Sequence, residues 1–312
     1  MPAVDIIIPV YNTKLDYVRA ALQSVVAQTL TDWQVLLVND GSRPDYSEQL
    51  EALVRGMGDA RIRYIPSENK GVTAARNIGI EASNAPLIAF LDSDDLWYPE
   101  KLAIQVEFMN QHPEVALLHA ASDLLPGDDM SALRRVPPRD LGVNGLSLRD
   151  ACVRMLRSNY VGINTVILRR EVGQRVGFFD TDFKSIEDKE MWCRWLLAEQ
   201  CFHYMQQTLA VYRLHPNNSS KNTLRMLDGR LKLINKIDDT LASGGAPWLR
   251  ADWPGLRREM LRHAHHEAAE TYIESRAYTD ALRHAAPWRS GVSMGSAKLL
   301  MRSLAGLSGL RA

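Results

Sequence analysis

The acidic run Asp92-Ser93-Asp94-Asp95 follows directly on the apolar stretch Pro86-Leu87-Ile88-Ala89-Phe90-Leu91. A short apolar run bounded by polar residues predicts a buried strand, which delivers the carboxylates to its C-terminal edge. Open α/β sheets bind their ligands at that edge. Asp92 and Asp94 are suited to share a hard divalent cation with a diphosphate, because Mg2+ and Mn2+ prefer oxygen ligands. That is the chemistry of a sugar-nucleotide enzyme. A bare Asp-x-Asp also fits a solvated turn ahead of a helix, and the surrounding sequence decides against it.

Other apolar runs end in the same way. Val4-Asp5-Ile6-Ile7-Ile8-Pro9-Val10 closes in Tyr11-Asn12, and Trp33-Gln34-Val35-Leu36-Leu37-Val38 closes in Asn39-Asp40-Gly41-Ser42. Strand patterns over 4–10, 33–38, 61–65 and 86–91 alternate with helical patterns over 15–30, 45–56 and 72–83, which predicts a mostly parallel α/β sheet flanked by helices. Asn69-Lys70-Gly71 precedes the third helix, on which Arg76 is expected to face the edge loops.

Beyond Pro99, Leu102, Val106 and Met109 keep helical spacing, and Val115 to Ala120 predicts a further strand. Residues 126–145 collect glycine, proline and paired charges; they read as a long loop that either carries specificity or is a surface insertion. Thr165 to Leu168 predicts a short strand and Gly177 to Asp180 a turn. In Ile186-Glu187-Asp188-Lys189-Glu190-Met191-Trp192-Cys193-Arg194-Trp195-Leu196 the helical spacing of Trp192, Trp195 and Leu196 places a helix start at the acidic pair. Helix capping alone would account for those carboxylates. Trp192 and Trp195 read as a core face rather than sugar platforms, whereas Trp97 is a candidate surface for a sugar ring or a packing residue under the next helix. From about Leu224 the pattern is wholly helical, broken at Gly244-Gly245-Ala246-Pro247 and resumed over 259–285.

Composition narrows the class. The 312 residues are 46% apolar, enough for a substantial core, and Lys+Arg equals Asp+Glu at 37 each, so no global field favours nucleic acid. Cys152, Cys193 and Cys201 lack metal-ligand spacing and are read as buried thiols of a reducing compartment. No signal-peptide pattern and no spanning run of apolar residues occurs, so a cytoplasmic location is expected, and Asn217-Asn218-Ser219 and Asn218-Ser219-Ser220 are read as loop residues rather than glycosylation sites. The basic and apolar residues from Lys298 to Leu307 suit either an interfacial helix in peripheral membrane contact or a packing helix, with Gly306 and Gly309 weakening the former.

In order along the chain, Ile8-Pro9-Val10-Tyr11-Asn12, Asn39-Asp40-Gly41-Ser42, Asn69-Lys70-Gly71 through Arg76-Asn77, Asp92-Ser93-Asp94-Asp95, Glu187-Asp188 and Tyr212-Arg213-Leu214-His215 resemble the inverting glycosyltransferases of family 2. The resemblance runs from about Val4 to Ser220. It implies a Rossmann-like GT-A domain over 1–222, with a nucleotide-binding half (1–98) and an acceptor half (99–222), followed by a helical C-terminal region (223–312). It further implies a nucleotide pocket of Pro9, Tyr11, Asn12, Asp40, Lys70, Arg76, Asp92 and Ser93, with Asp40 near the base and Asp92 near the ribose. Asp94 would hold Mn2+ or Mg2+, and His215 would reach the metal or the diphosphate. Arg213 and Lys221 are alternatives for the phosphates, and Trp97, Asp95 and Arg213 are candidates for contact with the sugars. Asp188 is the implied general base, with Glu187 orienting its neighbours.

The implied reaction moves a hexose or N-acetylhexosamine from a nucleotide sugar, with UDP favoured by resemblance alone, to a glycan or lipid-linked acceptor in surface polysaccharide synthesis. A helix N-terminus lowers a carboxylate pKa, so Asp188 needs apolar surroundings to serve as a base. Two other readings stay open. A sugar nucleotidyltransferase normally carries a glycine-rich loop where Pro9-Val10-Tyr11-Asn12 stands here, and a degenerate binding scaffold has no need of both Asp94 and Asp188.

Overall fold

The computed structural model describes residues 1–216, 218, 222–285 and 294–307. Asn217, Ser219 and Ser220 of the two sequons, Lys221 and Gly309 lie outside the described residues.

The first unit comprises Met1–Ala151, Asn159–Asp182 and Glu187–Pro216. Its first half alternates β1 (Val4–Val10), α1 (Leu15–Val26), β2 (Trp33–Asp40), α2 (Pro44–Met57), β3 (Ile62–Ser67), α3 (Val72–Glu81) and β4 (Leu87–Phe90). Every residue of β1 and β4 is buried, Asp5 of β1 included, as mostly apolar runs require when both faces of a parallel sheet are covered. Helix α3 lies so close that a Cβ on Gly79 would stand 2.6 Å from Ile7 Cγ2. The small residue is what permits the approach.

Next come β5 (Leu96–Trp97), α4 (Lys101–Gln111), β6 (Val115–Pro126), α5 (Leu148–Arg157), β7 (Ile167–Arg169), α6 (Arg170–Val176), α7 (Glu187–Leu197) and β8 (Cys201–Leu214). The sheet order is β3-β2-β1-β4-β7-β6-β8-β5. Of its seven neighbouring pairs, four are parallel (β1/β2, β1/β4, β2/β3, β6/β8) and three antiparallel (β4/β7, β6/β7, β5/β8). Strand order runs outward from β1 to β3 and then resumes on the other side of β1 with β4. Beyond the C-terminal ends of β1 and β4, at such a reversal, α/β sheets take their ligands.

Several elements differ from the expectation. Helix α1 stops at Val26 rather than Leu30. Strand β6 continues to Pro126, and the following loop is tied back by a bridge between Leu124 and Arg134 and by the Val136 N–H on Asp123 (2.7 Å). Strand β8 was not legible as a strand, because Gln206-Gln207-Thr208 interrupts its apolar alternation where the pairing with β6 shifts register. Beside this irregular half of β8, Asn144 exchanges hydrogen bonds with the Tyr204 backbone: Tyr204 N–H to Asn144 Oδ1 (2.8 Å) and Asn144 Nδ2 to Tyr204 O (2.7 Å). Cys152 and Cys193 are buried, and burial pushes the Cys193 thiol up to about 12; Cys201, expected buried, is exposed.

The second unit gathers Cys152–Ser158, Phe183–Ile186 and the described residues from 218 onward. Its helices are α8 (Thr223–Ala242), α9 (Trp253–Glu274), α10 (Tyr278–Ala285) and α11 (Met294–Leu307). The pattern over 259–285 is thus two helices, broken where Arg276 takes a φ of 61°. Alanines at 264, 268, 269, 281 and 285 are buried and let these helices pack closely. Asp238 joins α8 to α9 by accepting from Trp253 Nε1 (2.7 Å) and Arg257 Nε (2.9 Å). On α11, Leu299 is buried while Met301 and Leu304 are exposed. Among the described residues no helix is long and apolar enough to cross a membrane.

Candidate active site

Three loops meet at the ends of β1, β2 and β3. Asn12 adopts a φ of 48°, a left-handed conformation that asparagine tolerates better than most residues. Its N–H donates to Ser42 Oγ (3.0 Å), and its Oδ1 accepts from the Arg43 N–H (3.1 Å). Gly41 has a φ of 61°, and a Cβ there would lie 2.2 Å from the Asn69 nitrogen. The buried Asp40 carboxylate accepts from the N–H groups of Lys70 (2.8 Å) and Gly71 (3.0 Å). Pro9 is buried, whereas Tyr11 is 54% exposed and the Lys70 side chain is also exposed. The structure therefore gathers Pro9, Tyr11, Asn12, Asp40 and Lys70 on one rim with a free aromatic face. Thr13 Oγ1 joins this rim to Ser93 Oγ at 2.7 Å.

The acidic loop after β4 is sorted residue by residue. Asp92 Oδ1 accepts from Arg76 at 2.8 Å, and the same guanidinium reaches Glu187 Oε1 at 2.7 Å. Arg76 is 3% exposed, and Phe179 packs against its guanidinium. Burial pulls its pKa down, yet Asp92 and Glu187 together hold it above its ordinary value. Arg76 thus points inward to bridge two acidic motifs. Asp94 Oδ2 meets His215 Nε2 at 2.6 Å, beside the Tyr17 ring. Burial and the Asp92 charge raise the Asp94 pKa, with His215 opposing.

Three expected sugar contacts are corrected. Asp95 is buried and accepts from the Arg213 N–H (2.8 Å) and Asn164 Nδ2 (2.8 Å); burial, then Asp94 and Asp92, push its pKa well up. Arg213 is buried too, donating to the carbonyls of Asp94 and Gly127 (2.8 Å each) with its guanidinium over Tyr17. Trp97 is 4% exposed, its Nε1 donating to Asn164 O at 2.7 Å and the Lys101 ammonium lying over its ring. All three make their hydrogen bonds within the fold, around the acidic loop. Trp192 and Trp195 are core residues.

Asp188 stands at the start of α7, half-buried. Its Oδ1 accepts the Lys189 N–H (2.7 Å), and its Oδ2 accepts Asn159 Nδ2 (2.8 Å). Burial first, then the Glu187 charge, push its pKa up to about 6, against the hydrogen bonds and Arg76. Ile186, just before the pair, has a φ of 51°, a strained conformation for a β-branched residue that costs on the order of 1–3 kcal/mol.

Thr13, Tyr17, Asn159 and Asn164 were not among the residues the sequence singled out. The two asparagines carried a weak signal, as amides in a short loop ahead of a strand.

Among the described residues no group of three or more His, Cys, Asp or Glu side chains converges as a metal site. Asp94 and His215 nonetheless bring a carboxylate oxygen and an imidazole nitrogen to one point. Magnesium-like ions commonly take one or two protein carboxylates and complete their shell with phosphate and water oxygens. The donor pair fits an ion shared with a diphosphate.

Residues 5–141 match the model of the family described as Glycosyl transferase family 2. An uncharacterized glycosyltransferase of Rickettsia felis is 43% identical over 109 residues, which is 35% of this chain and 17% of that protein. The chain therefore spans about a sixth of that relative's length. A protein of Bacillus subtilis named for teichuronic acid biosynthesis, TuaG, is 30% identical over 229 residues, covering 71% of this chain and 82% of that one. Among solved structures, Staphylococcus aureus TarS 1-349 in complex with UDP-GlcNAc aligns with a TM-score of 0.60 at 14% identity, over 99% of this chain and 93% of that one. The mannosyltransferase PcManGT of Pyrobaculum calidifontis, in complex with GDP-Man and Mn2+, also gives 0.60, at 19% identity over 97% of this chain and 80% of that one. At such identities the structural likeness concerns the fold, which is of the GT-A kind.

Proposed function

The chain belongs to glycosyl transferase family 2, and from that premise we propose that it transfers a hexose or N-acetylhexosamine, with inversion, from a UDP-sugar to a glycan or lipid-linked acceptor in surface polysaccharide synthesis. The observation that carries this reading is Arg76. One buried guanidinium touches both Asp92, in the acidic loop, and Glu187, the neighbour of Asp188. A leaving-group site and a base must lie on opposite sides of one anomeric carbon, and a shared cation keeps two acidic motifs within that reach.

In the proposed reaction Asp188 takes the proton from the acceptor hydroxyl as its oxygen bonds to the anomeric carbon, while the bond to the diphosphate oxygen breaks on the opposite face. A pKa near 6 leaves the carboxylate ionised at neutral pH and still basic enough to accept a proton. Glu187, clamped by Arg76, sets the start of α7. Asp94 and His215 would hold a divalent ion, which would supply positive charge against the departing diphosphate. Tyr11 offers its exposed face to the nucleobase, and Asp40, whose oxygens keep further lone pairs, lies beside it. Residues 1–98 serve the nucleotide, 99–222 the acceptor, and the helices from 223 onward are an appendage to that machinery. TarS with UDP-GlcNAc and TuaG support the donor and the pathway class, and PcManGT supports the metal.

Calorimetric titration with UDP, GDP and dTDP, each with Mn2+ and with EDTA, tests the donor site; the expected result is binding of UDP that EDTA abolishes. The Asp188→Asn variant should bind UDP as wild type does and lose transfer. Transfer retained by that variant removes Asp188 as the base.

A further inference from the structure

Asp188 is held from two sides, by the Lys189 N–H of its own helix and by Asn159 from another part of the chain. The Asn159 amide is itself oriented, since its Oδ1 accepts the Val161 N–H at 3.2 Å. A carbonyl oxygen committed to a backbone donor leaves the amide NH2 to face the carboxylate, which settles which way the side chain points. The residues that follow anchor the loop. Val161 is buried, and Tyr160 sets its ring against His119 with centroids 5.7 Å apart. Further along the same stretch, Asn164 Nδ2 donates to Asp95 Oδ2 (2.8 Å) while its carbonyl accepts from Trp97 Nε1 (2.7 Å). One short segment thus contacts the carboxylate proposed as base at one end and the acidic loop after β4 at the other.

We propose that Asn159 is a positioning residue that aims the Asp188 carboxylate at the acceptor hydroxyl, and that the stretch from Asn159 to Asn164 fixes the spacing between the base and the acidic loop. This rests on Asp188 being the base. The Lys189 N–H holds one oxygen; a second donor on Oδ2 fixes the plane of the carboxylate and leaves the outer lone pairs for the incoming hydroxyl. The other charged or titratable groups around Asp188 are Glu187, Lys189 and Cys193 on α7 and Arg76 on α3. None of these lies on the Asn159 loop. Because Asn159 donates to the ionised form, its loss raises the proton affinity of Asp188.

The test is a carbon-13 NMR titration of the aspartate carboxyls in the full chain, with the Asp188 signal assigned by its absence in Asp188→Asn. In Asn159→Ala the midpoint should rise, with proton binding about threefold tighter. On the donor that wild type consumes, kcat should fall about tenfold with KM for the donor unchanged. Asn159→Ser, which keeps a shorter donor, should fall between the two. Asn159 is exposed, so both variants should fold; if the alanine variant does not, the serine variant carries the titration. An unmoved midpoint overturns the proposal, and so does a moved midpoint with unchanged kcat. Failure of the base reading looks different, because Asp188→Asn would then retain transfer whatever Asn159 does.

Discussion

Arg76 concentrates more consequence than any other side chain of the site. Its guanidinium is buried and satisfies Asp92 and Glu187 at once. Removing one partner of a buried ionic cluster leaves the rest without a counter-charge, so Arg76→Met should cost roughly 3 kcal/mol, read as a lower urea midpoint. Arg76→Lys should recover little of it, since one ammonium cannot present two donors along diverging directions as the fork does. A wild-type midpoint in either variant would show that the bridge is not made. At Asp188 the expected effect is on rate. With its carboxyl at about 6, kcat/KM should fall about tenfold for each pH unit below that value. A flat profile down to pH 5 would exclude this carboxylate as the group that must be ionised.

At the scale of elements, α3 and α2 make a matched pair. Ala in place of Gly gains up to about 1 kcal/mol in a helix interior, but forcing an atom into a filled contact costs about 1–3 kcal/mol. A Cβ on Gly79 would stand 2.6 Å from Ile7 of β1, whereas a Cβ on Gly56 of α2 would meet nothing within 4 Å. Gly79→Ala should therefore destabilise and Gly56→Ala stabilise, as thermal melts would show; the same sign in both would refute the packing argument. The elements legible in the sequence were those whose burial is two-sided and continuous. Strands β1, β2 and β4 announced themselves as mostly apolar runs, interrupted only by Asp5 in β1 and Gln34 in β2 ahead of their polar ends. Strand β8 did not, because its polar Gln206 to Thr208 segment breaks the alternation. The acidic loop was legible as a motif but not as a division of labour. Nothing in Asp92-Ser93-Asp94-Asp95 distinguishes Asp95, tied to Arg213 and Asn164 from distant parts of the chain, from Asp94, which faces His215. Trp97 stayed open between a sugar surface and a packing residue for the same reason: the Asn164 carbonyl and Lys101 ammonium that bury it are contacts of the fold.

For the whole molecule, two titrations, of the buried His119 and the half-buried Asp188, pull stability in opposite directions with pH. Burial, with a smaller push from His203, brings the His119 imidazole from 6.5 down to about 3. The unfolded chain therefore binds the proton first, and stability is lost as pH falls from 6.5 toward 3, at about 1.4 kcal/mol per unit. Asp188 is raised from 3.8 to about 6, so its folded form holds the proton more tightly and stability is lost as pH rises from 3.8 through 6. Between pH 4 and 6 the two offset each other. Neither ring nitrogen of His119 has a partner, so His119→Phe should raise the urea midpoint at neutral pH. Its advantage over wild type should widen by about 1.4 kcal/mol per unit as pH drops below 6.5. A constant gap between the two curves would mean that His119 is not buried in neutral form.

Asn144 bears on how copies of this protein behave together. The outer side of β8 around Tyr204 carries backbone donors and acceptors that β5, paired only at Val211 and Ala210, does not reach. One amide side chain takes both groups of Tyr204, as a neighbouring strand would. An open strand edge is a template on which a second chain can zip. Asn144 thus occupies the two groups of Tyr204 on which a second chain would otherwise pair.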